Sequence, residues 1–254
     1  MSRFIGHGPC SHCGSKDNVM IYDDDKPNQC GGCGYLHFPN QQEAVEPMIN
    51  TSDLPFGTSK DRKVSDVIAE FFGVRRSVNS NGEVDAVHYP YFKNNSGDPT
   101  GYKIRSFPKA FKTSGDFSNI DLFGRGMFAP GGKRLVIVEG EEDCLAVAQA
   151  YKDKGTIWPV VSLPSANNMK PVLNNLEFVK SFDEVIIWMD NDEAGKKAKD
   201  QLAKIVGYGK AKIVSSNVKD ASDLYTSQGG YPIQQAIWNA TTCLLYTSPS
   251  PRDS

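Results

Sequence analysis

The chain has 254 residues, 39% of them hydrophobic and 23% charged, with a formal net charge of −2. No window approaches the ~18 apolar residues of a membrane helix, and the opening MSRFIGHGPC lacks the apolar core of a secretory signal, so neither a membrane-spanning nor a secreted protein is expected. Near-neutral charge gives no global reason for a polyanionic partner, but it leaves room for a local basic groove.

Residues 1–38 are rich in Cys and Gly and contain four of the six cysteines, Cys10, Cys13, Cys30 and Cys33, as C-x2-C-x16-C-x2-C. Each C-x-x-C offers two thiolates from one tight turn. Two such knuckles facing each other make a closed tetrahedral site, the structural form of zinc binding. Without a secretory signal this spacing reads as metal ligation and not as disulfides. Lys16, Tyr35, His37 and Phe38 are candidates for nucleic-acid contact, with coverage of a thin core as the equal alternative. Residues 39–62 are polar, carry three prolines and show no periodicity, so they are expected to form a linker.

A short helix is predicted from Val64 to Phe72, stopped by Gly73. From Val84 to about Lys112 the pattern is β-rich: AVHYPYF, a turn at NNSGDPTG, then YKIRSF. After a loop to Gly132, strands and helices alternate. RLVIVEG, PVVSL, EVIIWMD and AKIVSS read as strands. EEDCLAVAQAY, most of MKPVLNNLEFVKSF, and EAGKKAKDQLAKIV read as helices. Such alternation predicts an α/β fold with a parallel sheet flanked by helices, whose ligands gather outside the strands' carboxyl ends.

Two of those strand ends are acidic. The strand from Leu135 to Val138 delivers Glu139, and Gly140 turns the chain. Glu141, Glu142 and Asp143 follow at a helix start, where capping explains them as well as function does. The next acidic tip delivers Asp190 and Asp192, which strict alternation would send to one side. Carboxylates at ~4 Å repel by about 1 kcal/mol in water and more when partly buried. A divalent cation reverses that sign, and oxygen ligands suit Mg²⁺ or Mn²⁺. Asp220 and Asp223, after AKIVSSNVK, are a further candidate pair that also reads as an ordinary helix start, as does Glu193. The last residues, 243–254, follow abruptly, lack periodicity and match one translated frame of a sequencing-library adapter. They are expected to be foreign to the fold, with the gene continuing beyond residue 242.

Strand-Glu-Gly, then strand-D-x-D-x-A-G, then K-D-A resembles the Toprim domain of DnaG-type primases, topoisomerases, some nucleases and recombination proteins. A four-cysteine ribbon and a β-rich segment before it resemble the order in bacterial and phage primases, and GYKIRSFPKAFKTSG with the later LFG resembles phage primase–helicases. The resemblance spans residues 8 to about 240. It implies a zinc-ribbon template-recognition domain (1–38), a linker (39–62), a basic β-rich subdomain (63–132) and a Toprim catalytic subdomain (133–240). It implies Glu139, Asp190 and Asp220 as Mg²⁺-site acids with Asp143 and Asp192 in support. It also implies Lys103, Arg105 and Lys109 as cations on nucleotide and template phosphates, and Lys112 less strongly. Alone, those cations would read as a solvated face.

The implied activity is DNA-templated synthesis of short RNA primers on single-stranded DNA, from NTPs, by metal-assisted nucleotidyl transfer in the cytoplasm, inside a bacterial host if phage-encoded. The replicative helicase is the implied partner, though no G-x-x-x-x-G-K-[ST] occurs in this chain. A Toprim nuclease and a non-catalytic zinc-ribbon DNA-binding module are the competing readings.

Overall fold

The structure, a computed structural model, describes residues 3–10, 15–23, 27–32, 34, 36–37, 47–94 and 96–242. The expectations placed on Cys13, Cys33, Tyr35, Phe38 and the His37 side chain lie outside the described residues, as do residues 39–46 and 243–254. The chain divides into two compact units, Met1–Val45 and Glu46–Ser254.

The first unit has two small antiparallel pairs. β1 (Phe4–Gly8) pairs with β2 (Val19–Tyr22), and β3 (Asn28–Gln29) pairs with β4 (Leu36–His37). Its core is slight: Cys10, Val19 and Cys30 are buried, with Ile21 against them. Both buried cysteines sit beside tight backbone turns, Cys10 N–H donating to Ser15 O (2.8 Å) and Gly34 N–H to Cys30 O (2.8 Å). Gly34 is left-handed (φ 74°), the conformation a glycine allows at no steric cost.

In the second unit, α1 (Asp66–Phe71) precedes an antiparallel sheet in the order β5-β6-β7-β8. Its strands are β5 (Arg75–Val78), β6 (Val84–Tyr91), β7 (Gly101–Ser106) and β8 (Ala110–Gly115). Then come β9 (Gly132–Val138), α2 (Glu141–Lys152), β10 (Val160–Ser162), α3 (Lys170–Asn174), α4 (Leu176–Lys180), β11 (Phe182–Trp188), α5 (Glu193–Val206), β12 (Ala211–Ile213), α6 (Ala221–Gln228), α7 (Gly230–Trp238) and β13 (Thr241–Thr242). The second sheet runs β10-β9-β11-β12-β13, parallel except for the β12–β13 pair.

The expected α/β sheet is therefore present, its central strands β9 and β11 buried on both faces as a parallel ladder requires. Alternation sorts its side chains. Val136, Val138, Ile186 and Trp188 face a cluster with α2, α6 and α7. Leu135, Ile137, Val185 and Ile187 face one with α4 and α5. Each such side chain contributes about 1.5–3 kcal/mol by burial. The first cluster also contains Phe72, Tyr89, Tyr91 and Phe123 from the β-rich part, so the two sheets share one core. Backbone bonds between Phe123 and Ser162 (both 3.1 Å) cover the β10 edge.

Three features differ from expectation. Residues 47–62 are no free linker, because Ser114 Oγ donates to Pro47 O and accepts from Ile49 N–H (both 2.9 Å), and Thr51 Oγ1 donates to the Tyr102 hydroxyl (2.9 Å). Phe56 bridges to Arg75. The segment docks by polar contacts, so hydrophobic periodicity could not reveal it. The stretch 170–181 is two short helices meeting at Asn175, whose amide donates to Pro171 O (2.9 Å) and Asp121 Oδ1 (3.1 Å). Thr241–Thr242 add an edge strand just beyond the expected boundary at residue 240.

Candidate active site

The sheet order places the site. From β9 the chain steps to one side, to β10, then crosses back to β11 and onward to β12. The carboxyl ends of β9 and β11 thus lie side by side where the winding reverses, the position at which open α/β sheets bind ligands. Glu139 and Asp190 stand at these two ends, and Glu139 Oε2 accepts the Asp190 backbone N–H (3.1 Å). Asp220 joins them from the start of α6, and Asp143 from the first turn of α2. All four line a cleft of about 260 Å³.

The acids are closely coupled. Burial and the charges of Asp190 and Asp192 raise the Glu139 carboxyl above its ordinary range, against the pull of the Asp190 N–H. Burial likewise raises Asp190, opposed by Lys219 and reinforced by Asp220. Asp143 is buried and pushed well up by desolvation, then by Asp220, although its Oδ1 accepts from Ser222 N–H (2.9 Å). One cation touches two of these acids: Lys219 Nζ is 3.4 Å from Asp190 Oδ2 and 2.8 Å from Asp220 Oδ2. The same contacts drive the Lys219 ammonium upward in pKa. Among the described residues, no three acids, histidines or cysteines converge closely enough to enclose a metal. The donor set is nonetheless all oxygen, mutually repelling, and already holding positive charge at Asp190 and Asp220. It fits a hard divalent cation.

A carboxyl with a raised folded-state pKa gives its full stabilisation below its unfolded value and loses it as pH climbs from there to the folded value. For Asp143 that loss begins near 3.8. Asp143→Asn keeps an oxygen for Ser222 N–H and removes the titration. In the absence of divalent cations the variant should show a shallower decline in stability with rising pH. It should gain about 1 kcal/mol at pH 8, read as roughly 2–4 °C in Tm for a unit of this size. A wild-type protein whose Tm is the more resistant to rising pH would contradict this.

Opposite the acids stand the cations of β7. Lys103 Nζ donates to Glu141 Oε1 (2.9 Å), Glu141 Oε2 (3.0 Å) and Pro164 O (2.9 Å). Arg105 pairs with Glu142, which also takes Arg62 (3.0 Å). Arg62 reaches Ser222 Oγ (3.1 Å) and Asp223 (3.7 Å) as well. Lys109 lines the cleft without an ion pair among the described residues. Register explains the division: Lys103 faces Thr113 and Arg105 faces Phe111, whereas Lys112 pairs with the buried Ile104 on the other face. Lys112 is accordingly not among the residues lining the cleft.

Asp192 departs from expectation. Strand β11 ends at Trp188, so alternation does not carry through to residue 192. Asp192 is exposed, its Oδ1 caps α5 by accepting Gly195 N–H (2.8 Å), and it is not among the cleft-lining residues. Asp220 serves both expectations, capping α6 through Asp223 N–H (2.7 Å) while lining the cleft. Glu141 and Glu142 are not merely helix-start acids, since they pair with the β7 cations. Arg62 carried no signal in the sequence, because it lay in an apparent linker, and Lys219 appeared only as the first residue of K-D-A, with no role assigned to it.

Residues 136–225 match a family model described as Toprim-like. A DNA helicase/primase of Enterobacteria phage T3 is 29% identical over 259 residues, covering 94% of this chain and 44% of that protein. The chain thus spans less than half the length of this curated relative. The crystal structure of the primase fragment of the bacteriophage T7 primase-helicase protein is 27% identical with a TM-score of 0.66, covering 93% of this chain and 100% of that one. A second T7 structure, of the lagging-strand DNA polymerase with primase domains bound to an RNA/DNA hybrid and dTTP, matches at 28% identity and TM-score 0.66. It covers 78% of this chain and 99% of that one.

Proposed function

We propose that this chain, Toprim-like at its core and similar over most of its length to phage primase fragments, is a DNA primase making short RNA primers on single-stranded DNA from NTPs. The observation that carries the reading is the opposition, across one cleft, of Glu139, Asp143, Asp190 and Asp220 to Lys103, Arg105 and Lys109. The likeness to the T7 fragment narrows the nucleotidyl chemistry to priming.

Glu139, Asp190 and Asp220, supported by Asp143, would hold Mg²⁺ or Mn²⁺, whereas Asp192 is spent as the cap of α5. When bound, the metal would lower the charge on the incoming triphosphate, favour deprotonation of the attacking 3′-hydroxyl and stabilise pyrophosphate as it leaves. The chain's own cations do the rest. Lys103 and Arg105, held by Glu141 and Glu142, present fixed positive charge where phosphate charge develops, and Lys109 contributes a charge without an ion pair among the described residues. No side chain is needed as a covalent nucleophile.

Cys10, Cys13, Cys30 and Cys33 would hold one structural zinc in the first unit, which would help select the template site. Elemental analysis should find one zinc per chain, lost in Cys30→Ser; an undiminished zinc content in that variant would remove the ribbon from the reading. A replicative helicase, fused to this chain or separate from it, is the proposed partner. The proposed location is the cytoplasm of a bacterial host; no helix among the described residues is long and apolar enough to cross a membrane.

The test is incorporation of radiolabelled NTPs on single-stranded DNA with Mg²⁺. Oligoribonucleotide products support a primase. Template cleavage without synthesis would select a Toprim nuclease, and DNA binding with neither activity would select a non-catalytic module.

A further inference from the structure

One side chain in the cleft fits none of the charge pairing. Phe111 on β8 is 51% exposed, although it lines a cavity otherwise walled largely by charged and polar groups. A lone exposed aromatic on a protein surface needs no explanation. Here three observations combine. Phe111 is the register partner of Arg105, so its ring lies on the face that carries Arg105 and Lys103. The Lys103 ammonium lies 5.3 Å from its ring centroid, a cation–π distance that ties the ring to the cleft side of the sheet. Two residues earlier is Lys109, in the β7–β8 connection, which lines the cleft and makes no ion pair among the described residues. The cleft therefore holds, among the described residues, a positive charge without an ion pair beside a half-exposed aromatic ring.

We infer that Phe111 is a stacking platform for a nucleobase, with Lys109 taking the phosphate of the same nucleotide. The inference rests on the primase reading and adds to it the means by which a base is held. A ring accepts any base, because every base has a π-face, so the contact would hold a nucleotide without choosing among sequences. Neither the acids nor the bound cations supply this, since both act on phosphate and hydroxyl oxygens.

The test compares Phe111→Leu, which keeps apolar bulk and loses the π-face, with Phe111→Tyr, which keeps the ring. The exposed position makes both tolerable to the fold, checked by unchanged Tm. Two probes are used with the full chain and Mg²⁺: a short single-stranded oligonucleotide containing 2-aminopurine, and ATP. Phe111→Leu should weaken at least one probe on the order of tenfold, while Phe111→Tyr stays within about twofold of wild type. Loss in the oligonucleotide arm, with reduced 2-aminopurine quenching, identifies a template base; loss confined to ATP identifies the incoming base. Equal binding of both probes by wild type and Phe111→Leu overturns this inference and leaves the primase reading standing. A wild-type protein that binds neither probe overturns both.

Discussion

Asp190→Asn is expected to reduce primer synthesis on the order of 10³-fold while leaving the fold at least as stable as before. The first effect follows from the place of Asp190 at the end of β11, next to Glu139 and sharing Lys219 with Asp220. An acid that positions a catalytic metal carries several kcal/mol of transition-state stabilisation, and about 1.36 kcal/mol corresponds to each factor of ten. The second effect follows from electrostatics. Burial and Asp220 already raise the Asp190 carboxyl, so its charge is a cost that the folded state carries at neutral pH and the unfolded chain does not. An amide of the same shape removes that cost, and Lys219 keeps Asp220 as its partner. Single-turnover incorporation of NTPs measures the first and calorimetry the second. Synthesis within tenfold of wild type would remove Asp190 from the metal site, whereas a large fall in Tm would mean that activity was lost through unfolding.

Glu141→Ala should have the largest effect on stability among the residues of the cleft, about 3–5 kcal/mol, a fall in Tm on the order of 10 °C. The Glu141 side chain is 5% exposed and that of Lys103 is 20% exposed. Two of the three acceptors of the Lys103 ammonium are Glu141 oxygens, and the Tyr91 hydroxyl donates to the same carboxylate. Removal of the carboxylate leaves a half-buried ammonium with only Pro164 O and a buried phenol without its acceptor. Deleting both charges, as Glu141→Ala with Lys103→Met, should restore part of the loss. A double-mutant cycle then gives the coupling energy between the two side chains. A single substitution that costs under 1 kcal/mol would mean that Lys103 is held by the sheet and not by Glu141.

The parts of the fold that announce themselves are those built by apolar burial. The runs Leu135–Val138 and Val185–Trp188 are unbroken apolar strands, and their ends could be found to within two residues, with Glu139 and Asp190 at them. Lys103 and Arg105 were legible only through the resemblance to Toprim primases, since alone they read as a solvated face. β5, with two arginines and a serine in four residues, and β8, exposed along most of its length, offered no such apolar run. The 47–62 segment was hidden for the same reason. Glu141 shows a different limit. In the sequence it is one of three consecutive acids at a helix start, and only the neighbouring sheet, fifty residues away in the chain at Tyr91, separates a buried anchor from a cap. Asp192 was placed by extending a period of two beyond the strand that imposed it.

Gly195 illustrates how closely two of these elements are joined. A Cβ at that position would meet the carbonyl oxygen of Asp190 at 2.2 Å and its backbone nitrogen at 2.9 Å, and backbone atoms have little room to yield. Helix α5 is thereby pressed against the peptide that carries the acid, while Asp192 clasps the same turn from outside. Asp190 has no independent adjustment, because any larger side chain at 195 displaces helix and acid together. Diversification of metal preference in this scaffold would therefore start from the α6 side, where Asp220 is set by a side-chain cap and a lysine, and leave the β11 corner unchanged.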